Sequence, residues 1–323
     1  MKKLTILLSA LLLAVQTFGQ SATGTPQGQS RQAVVALSSI YMRTAPDYES
    51  ALETQELMGT VVEVLGEKGY WREIVSPQPY KAWCTQKGIV EMSPEELKAY
   101  QQAPKCMFTE LYGHVYEQPS CKSQTVCDLV GGDIMRLSGI RAKGWTKVIL
   151  PDGTEGWVKS EYIKVHEGFR NIAKGEGSAE SISEGQMEKI LSTAFLLKGV
   201  PYLWGGMTPK GVDCSGLVRW SYLMNGILLP RNASQMVHCG DEVPISLPVN
   251  GNAPGIESLR RGDLVFFGTP ATEGKPQRVT HVGIYIGNNL IIHSSHLVRV
   301  NSLIPGERDY YENAHKLIAA RRL

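Results

Sequence analysis

The chain contains 323 residues, of which 42% are hydrophobic and 20% charged, a length that predicts two domains able to bury a core. The 13 tyrosines and 6 tryptophans exclude a disordered, charge-rich chain, and the formal net charge of +2 does not indicate a nucleic-acid-binding protein. Six scattered cysteines are too few for a disulfide scaffold and lack zinc-site spacing, so no metal site is predicted.

The N-terminus has the layout of a secretory signal peptide. Lys2 and Lys3 precede an apolar run, Leu4–Val15, and small or polar residues follow it. We place the signal peptide at residues 1–20 and expect an exported protein, periplasmic or extracellular. About a dozen apolar residues are too few to span a bilayer, so no stable membrane insertion is expected after cleavage. An uncleaved anchor is the alternative.

A tryptophan pattern predicts an internal repeat. Trp71 precedes Trp83 by the same interval that separates Trp145 from Trp157, and each pair encloses a short strand and a proline-containing turn. A strand with alternating hydrophobicity lies upstream of each pair. The pattern resembles bacterial SH3-like domains, small all-β barrels that typically bind cell-wall material or dock onto a catalytic partner.

Three domains follow from this repeat. The two SH3-like domains are predicted at residues 31–92 and 104–165, and between them Ser93 is a good N-cap for a short helix. A linker rich in Gly, Ser and Glu covers residues 167–184. A third domain, residues 185–323, begins with apolar residues at helical spacing.

Cys214 is the first candidate for chemistry in the third domain. The sequence around it predicts a helix with Asp213 as N-cap and Cys214 in the first turn. A thiol at the positive end of a helix dipole is expected to ionise more readily, which favours a nucleophile. The alternative is a small buried hydrophobic residue.

Two histidines supply the context for that cysteine. A β-hairpin is predicted around Gly287–Asn289, and a three-residue loop would set Gly283 opposite His293 with His281 on the same face. A two-residue loop would put the histidines on opposite faces. Cys214 as nucleophile, His281 as base and His293 as orienting group would form a Cys–His catalytic unit. Zinc binding by these residues is the alternative, but no ligand spacing supports it.

From Pro201 to His293 the chain resembles the NlpC-type cell-wall cysteine peptidases. The matching motifs, in the order of that family, are Tyr202–Gly206, Asp213–Gly216, Leu229–Gln235, Arg261–Phe267, His281–Gly287 and Ile292–His293. The resemblance implies an α+β fold with a papain-like peptidase domain, no cofactor, and a murein peptide as substrate. It implies hydrolysis of the γ-D-glutamyl–diamino acid bond through a thioester on Cys214, with Tyr202 near the developing oxyanion.

The three-domain layout is similar to a subgroup of these peptidases, the γ-D-glutamyl-L-diamino acid endopeptidases, which act on short peptides with a free N-terminal L-Ala. This similarity implies substrate binding by Asp213, Ser215, Tyr80 and Asn232. Asn232 stands where such relatives tend to have an acid, which weakens recognition of an ammonium group. Asp213 and Glu53 are the carboxylates left for that task.

Two rival functions use the same features. An acyltransferase or amidase on this fold would form the same thioester, and a catalytically silent protein would only bind cell wall. A monomer is expected. Because Cys214 must be free to react, at least one of the other five cysteines should be unpaired, and Cys106, Cys121 and Cys127 are the expected place for any disulfide.

Overall fold

The computed structural model describes residues 31–77, 79–172, 181–247 and 254–323. The predicted signal peptide at residues 1–20 and the middle of the predicted linker lie outside these ranges. Within them, no helix combines the length and the apolar character that a membrane crossing requires.

The first part of the described chain is a seven-stranded antiparallel sheet. Its strands are β1 (Arg31–Val35), β2 (Ser39–Arg43), β3 (Leu52–Leu57), β4 (Val61–Lys68), β5 (Trp71–Ser76), β6 (Tyr80–Thr85) and β7 (Ile89–Met92). They are arranged in the order β3-β2-β6-β5-β4-β1-β7. Alternate side chains of β4, including Val62 and Val64, point into the core, as a half-buried strand requires.

A second seven-stranded antiparallel sheet follows. Its strands are β8 (Lys105–Phe108), β9 (Tyr112–Tyr116), β10 (Thr125–Val130), β11 (Ile134–Ala142), β12 (Trp145–Ile149), β13 (Glu155–Lys159) and β14 (Ile163–His166). Their order is β10-β9-β13-β12-β11-β8-β14, which is the order of the first sheet advanced by seven strands. Trp71 pairs with Thr85 and Trp145 with Lys159, so the strand register repeats as well. The tryptophan pattern thus reflects a repeated topology.

Helix α1 (Pro94–Gln102) connects the two sheets. The side chain of Ser93 accepts the N–H of Glu96, and the Glu96 carboxylate accepts the N–H of Ser93 in return. This reciprocal capping satisfies two donors at the helix start, and it confirms the helix predicted from Ser93.

Met58 joins the two sheets. It follows β3 in the chain, yet its side chain is fully buried in the core of the second sheet. The N–H of Met58 donates to Oδ1 of Asp133 at 3.2 Å, and the N–H of Ile134 donates to the carbonyl of Met58 at 3.0 Å. Side chain and backbone of this residue therefore both belong to the packing of the second sheet.

The C-terminal part combines helices with a six-stranded antiparallel sheet, which confirms the α+β class. The sheet contains β19 (Asp241–Glu242), β20 (Leu264–Thr269), β21 (Arg278–Gly287), β22 (Leu290–Ser295), β23 (Leu297–Ser302) and β24 (Leu317–Arg322) in the order β19-β24-β20-β21-β22-β23. Short two-stranded pairs are β15 (Arg170–Asn171) with β18 (Ile227–Leu228), and β16 (Met207–Thr208) with β17 (Gly211–Val212). The helices are α2 (Glu184–Leu196), α3 (Cys214–Leu223) and α4 (Ala233–Met236).

Helix α3 lies at the centre of this part. Helix α2 packs on one side of it through Ile190, Leu191 and Ala194, the apolar stripe expected from the sequence, and strands β21 and β22 pack on the other. Trp220 of α3 is fully buried, and its indole N–H donates to the carbonyl of Gly131 in the second sheet at 2.8 Å. The helix is thus fixed from several sides, so its first residue has a rigid position.

All six cysteines lie within the described residues and all are free. The disulfide considered among Cys106, Cys121 and Cys127 is therefore not formed. Cys106 is buried in the core of the second sheet, where it behaves as a small apolar residue.

Candidate active site

Cys214 is the first residue of α3. Oδ1 of Asp213 accepts the N–H of Gly216 at 2.6 Å, so Asp213 is the N-cap, as predicted. A side-chain carbon at Gly216 would lie only 2.1 Å from the carbonyl oxygen of Gly206. Glycine is therefore required for the helix to begin this close to the loop that follows Tyr202.

The thiol of Cys214 is protonated at neutral pH, contrary to the expectation drawn from the helix dipole. Burial, followed by the charge of Asp213, raises its pKa to about 11. The N–H groups of Val282 and Ser215 reach the sulfur and lower the pKa, but burial outweighs them. Because Val282 directly follows His281, these contacts bring the backbone of β21 next to the predicted base against the sulfur.

The loop between β21 and β22 differs from the prediction. It contains two residues, Asn288 and Asn289, and both have positive φ angles, 52° and 62°. Such a turn suits the twist of a hairpin, and asparagine tolerates this conformation better than most residues. The expected three-residue loop was therefore wrong.

A β-bulge compensates for the shorter loop. Ile286 is an extra residue in β21 between two consecutive pairs of the ladder. Beyond the bulge, Ile284 pairs with Ile292, which is the register that the longer loop would have produced. A side-chain carbon at Gly283 would lie 3.1 Å from Cβ of His293, so Gly283 does face His293, as expected, and leaves space beside its Cβ.

Four residues form a continuous hydrogen-bonded chain that begins at the predicted base. Nε2 of His281 lies 2.8 Å from Nδ1 of His293, and Nε2 of His293 lies 2.9 Å from Oδ1 of Asn301. Nδ2 of Asn301 then donates to the carbonyl of Asp309 at 2.6 Å. The structure thus brings the two predicted histidines together. It also adds Asn301, which the sequence reasoning missed because only the pairing of β22 with β23 brings it near.

Both histidines are neutral at physiological pH. Burial and the neighbouring His293 lower the pKa of His281 to about 3. Burial also lowers the pKa of His293 to about 4, against the opposing hydrogen bond from Asn301 and with a further contribution from the Arg299 charge. A neutral imidazole can accept a proton from a thiol, so the resting pair is a thiol beside a neutral base.

Aromatic rings enclose the two imidazoles. The ring of Tyr311 lies 5.6 Å from that of His281 and 4.6 Å from that of His293, measured between centroids, and Phe267 packs on both Tyr311 and His281. These rings exclude water from the histidine pair, which accounts for the low pKa values. Tyr202 is half-buried, and burial together with the Cys214 charge raises its pKa, so its hydroxyl remains a donor.

Arg231, which was noted only as part of a motif, holds the start of α3. Its Nη2 donates to Oδ2 of Asp213 at 2.6 Å, its Nη1 donates to Ser215 at 2.9 Å, and its Nε donates to Thr54 of β3 at 2.7 Å. Asp213 also accepts the N–H of Gly205 at 3.0 Å, and the hydroxyl of Ser215 donates to Asp213 at 3.1 Å. The two predicted substrate-binding residues, Asp213 and Ser215, are therefore engaged with Arg231.

The first sheet contributes the two remaining substrate-binding candidates. The hydroxyl of Tyr80 donates to Oε2 of Glu53 at 2.7 Å and also contacts Asn232. Burial and Glu53 raise the pKa of Tyr80. The backbone of Glu53 approaches Gly205 so closely that a side-chain carbon there would lie 2.8 Å from the Glu53 carbonyl oxygen. Glu53, Tyr80 and Asn232 thus form one cluster beside the loop that follows Tyr202.

The chain is similar to known peptidases. Residues 199–316 match the model of the NlpC/P60 family. A γ-D-glutamyl-L-lysine dipeptidyl-peptidase of Bacillus cereus is 28% identical over 262 residues, which span 79% of this chain and 70% of the relative. Dipeptidyl-peptidase 6 of Lysinibacillus sphaericus is 26% identical over 84% of this chain and 91% of its own length.

The fold also has a close counterpart among solved structures. An NlpC/P60 family protein from Bacillus cereus superimposes with a TM-score of 0.70, covering 90% of this chain and 99% of the solved chain at 23% identity. Because it covers 90% of this chain, the match is not confined to the C-terminal part.

Proposed function

Because residues 199–316 belong to the NlpC/P60 family of cysteine peptidases, we propose that this chain hydrolyses the γ-D-glutamyl–diamino acid bond of peptidoglycan stem peptides. The observation that carries the proposal is the hydrogen-bonded His281–His293 pair, together with the N–H of Val282, the residue after His281, which reaches the sulfur of Cys214 at the start of a buried helix. Cell-wall peptides occur outside the cytoplasm, so the proposal includes export by the signal peptide at residues 1–20. The two repeated sheets are proposed to be SH3-like domains.

The proposed chemistry is acyl transfer to water. Nδ1 of His281 takes the proton of the Cys214 thiol as the sulfur attacks the γ-glutamyl carbonyl. The backbone N–H of Cys214 and the hydroxyl of Tyr202 stabilise the oxyanion. The imidazolium of His281 then gives its proton to the amine that leaves, and a thioester remains on Cys214. His281 next takes a proton from water, which attacks the thioester and releases the acid and the thiol.

We further propose that the enzyme prefers short peptides with a free N-terminal L-Ala. The support lies in the cluster of Glu53, Tyr80 and Asn232, since Glu53 is the carboxylate of this group and can oppose an ammonium ion. Asp213 is less suited to bind the amine directly, because five donors already occupy its two oxygens. Two relatives that align with most of the chain are named dipeptidyl-peptidases.

Hydrolysis of a defined tripeptide tests the proposed function. L-Ala-γ-D-Glu-diaminopimelate should give L-Ala-D-Glu and free diaminopimelate, identified by mass spectrometry. Cys214→Ala should reduce turnover to the background rate while still binding the peptide; retained hydrolysis by this variant contradicts the mechanism. Products that carry the acyl group on an added amine would identify an acyltransferase, and binding without turnover by the wild type would identify a silent wall-binding protein.

The amine preference is tested separately. N-acetylation of the tripeptide should raise KM for the wild type by about tenfold or more, the equivalent of about 1.4 kcal/mol. Glu53→Gln should raise KM for the free peptide while changing KM for the acetylated peptide little. Equal effects on both peptides would show that Glu53 does not recognise the amine.

A further inference from the structure

We propose that Asn301, oriented by the carbonyl of Asp309, is a positioning residue that determines which ring nitrogen of His293 and of His281 carries the proton. The inference rests on the proposed function only in taking His281 as the base for Cys214. A base of this kind needs a lone pair directed at the thiol, and each neutral imidazole has one protonated and one unprotonated nitrogen.

The orientation of the Asn301 amide is the first step. The carbonyl of Asp309 accepts from Nδ2 of Asn301 at 2.6 Å and from the N–H of Ser302 at 3.0 Å. A carbonyl cannot donate, so the amide nitrogen of Asn301 must face Asp309, and its oxygen must face His293. Asp309 has a left-handed backbone, with φ 58°, which aspartate tolerates better than most residues.

The proton positions follow in sequence from that orientation. Oδ1 of Asn301 can only accept, so Nε2 of His293 carries the proton of this ring. Nδ1 of His293 is then an acceptor, so Nε2 of His281 must donate to it. The remaining nitrogen of His281, Nδ1, is therefore unprotonated, and it is the nitrogen left to face Cys214.

The environment prevents other arrangements. His293 is fully buried and Asn301 is 5% exposed, so bulk water has no access with which to replace the amide oxygen. The Arg299 charge acts on the pair from β23, and it disfavours a second proton on His293. Because Cys214 rests as a thiol, a proton on Nδ1 of His281 would leave the thiol without a base. Asn301 thus acts on the reaction through two histidines without touching the substrate.

Histidine tautomers can be observed directly by ¹⁵N NMR on the full chain labelled in its imidazoles. At pH 7 both His281 and His293 should carry their proton on Nε2, and Asn301→Leu should add Nδ1-protonated forms to both rings. Asn225→Ala is the matched control, since Asn225 also hydrogen-bonds through its amide, to Ser221 and Thr193, away from the histidines. Nδ1 protonation of His281 in the wild type, or unchanged tautomers in Asn301→Leu, would overturn the proposal.

Alkylation of the thiol gives a second measurement that needs no peptide substrate. Iodoacetamide modification should be followed at Cys214 by mass spectrometry, because the exposed Cys121 will react as well. Asn301→Leu should lower the rate at pH 7 by about tenfold or more, within the range expected when a general base is impaired, and Asn225→Ala should not. Asn301→Asp keeps an acceptor for His293 but cannot donate to Asp309 when ionised, so it should restore much of the rate.

The two proposals can fail independently. If Asn301→Asp is as slow as Asn301→Leu, the role of Asn301 is to tether the loop, and the tautomer proposal is wrong. If the tripeptide is not cleaved but the tautomers and alkylation rates behave as expected, the proposed substrate is wrong instead. With an active wild type, Asn301→Leu should lower kcat and leave KM near its original value, because Glu53 and Tyr80 are untouched.

Discussion

At the scale of single residues, Arg231 carries a charge that the fold has removed from water. It is 1% exposed and pairs with Asp213 through two hydrogen bonds. Replacement of one partner in such a pair leaves the other charge buried and uncompensated. We expect Arg231→Met to lower the free energy of unfolding by about 3–5 kcal/mol, measured by urea denaturation.

An exposed ion pair provides the control for that prediction. Lys81 and Glu73 lie 2.9 Å apart on the surface of the first sheet. Lys81→Met should change the free energy of unfolding by less than about 1 kcal/mol. If Arg231→Met and Lys81→Met lower the free energy of unfolding by similar amounts, burial of the Arg231–Asp213 pair does not determine how much the pair contributes to stability.

The buried histidines predict a loss of stability in acid. Their pKa values in the folded protein, about 3 for His281 and about 4 for His293, lie below the ordinary value of 6.5. Between pH 6.5 and these values the unfolded chain binds protons that the folded chain does not. Stability is therefore complete above pH 6.5 and decreases as the pH falls toward 4.

A single substitution tests this linkage. His293→Gln should reduce the difference in unfolding free energy between pH 7 and pH 5, measured by urea denaturation at each pH. His315→Gln, at an exposed position, should leave the difference unchanged. An unaltered pH dependence in His293→Gln would indicate that other groups cause the acid sensitivity.

The residues that the sequence identified and those it missed differ in where their partners lie. Cys214 and the two histidines belong to short motifs whose residue types carry chemistry on their own. Arg231 acts through Thr54, 177 positions away, and Asn301 acts through a neighbouring strand. Tertiary packing brings such partners together, so no local sequence pattern predicts them.

At the scale of secondary-structure elements, the β21–β22 hairpin shows how register depends on one residue. Side chains alternate between the faces of a strand, so a shift by one position turns every side chain over. If Ile286 paired with Ile291, the bulge would disappear and His281 and His293 would lie on opposite faces. Deletion of Ile286 removes the extra residue instead, so Ile284 stays opposite Ile292 and the two histidines stay on one face. We expect the deletion variant to keep hydrolytic activity and the Cys214 alkylation enhanced by the base, measured by tripeptide cleavage and mass spectrometry. Loss of both would show that the local bend at the bulge is needed in addition to the register.

Asn289→Gly is the companion to that deletion. Glycine adopts the left-handed conformation of this position without strain, so the unfolding free energy should stay the same or rise by less than about 1 kcal/mol. Activity should be retained. If Asn289→Gly abolishes activity, the turn itself is needed for the reaction even though the register is kept.

The helices were predictable where the bulge was not. Ser93 and Asp213 predict the starts of α1 and α3, because the side chain of an N-cap hydrogen-bonds to backbone groups within three residues. The bulge depends on distant contacts, including the guanidinium of Arg261, which donates to the Ile286 carbonyl at 2.6 Å. The loop length was inferred only from the assumption that both histidines lie on one face of the hairpin. A three-residue loop without a bulge and a two-residue loop with a bulge both satisfy that assumption.

At the scale of the whole molecule, Met58 makes the stability of one sheet depend on the other. We expect Met58→Ala to lower the free energy of unfolding by about 2–5 kcal/mol, because it removes a fully buried side chain from the second core. Met92→Ala, at a half-buried position of β7, should lower the free energy of unfolding by a smaller amount. If calorimetry gives the same loss of unfolding free energy for both variants, Met58 is not part of a tightly packed core.

The repeated sheets have a consequence for protein engineering. Their strand order coincides, and in the hairpins that begin at Trp71 and Trp145 each position of the first copy has a counterpart 74 residues further along the chain. The counterpart of Tyr80 is Thr154, and therefore only the first copy offers an aromatic hydroxyl at that turn. Loops can be exchanged between the copies on a common backbone, which makes the second copy a scaffold on which a new recognition surface can be built without disturbing the first.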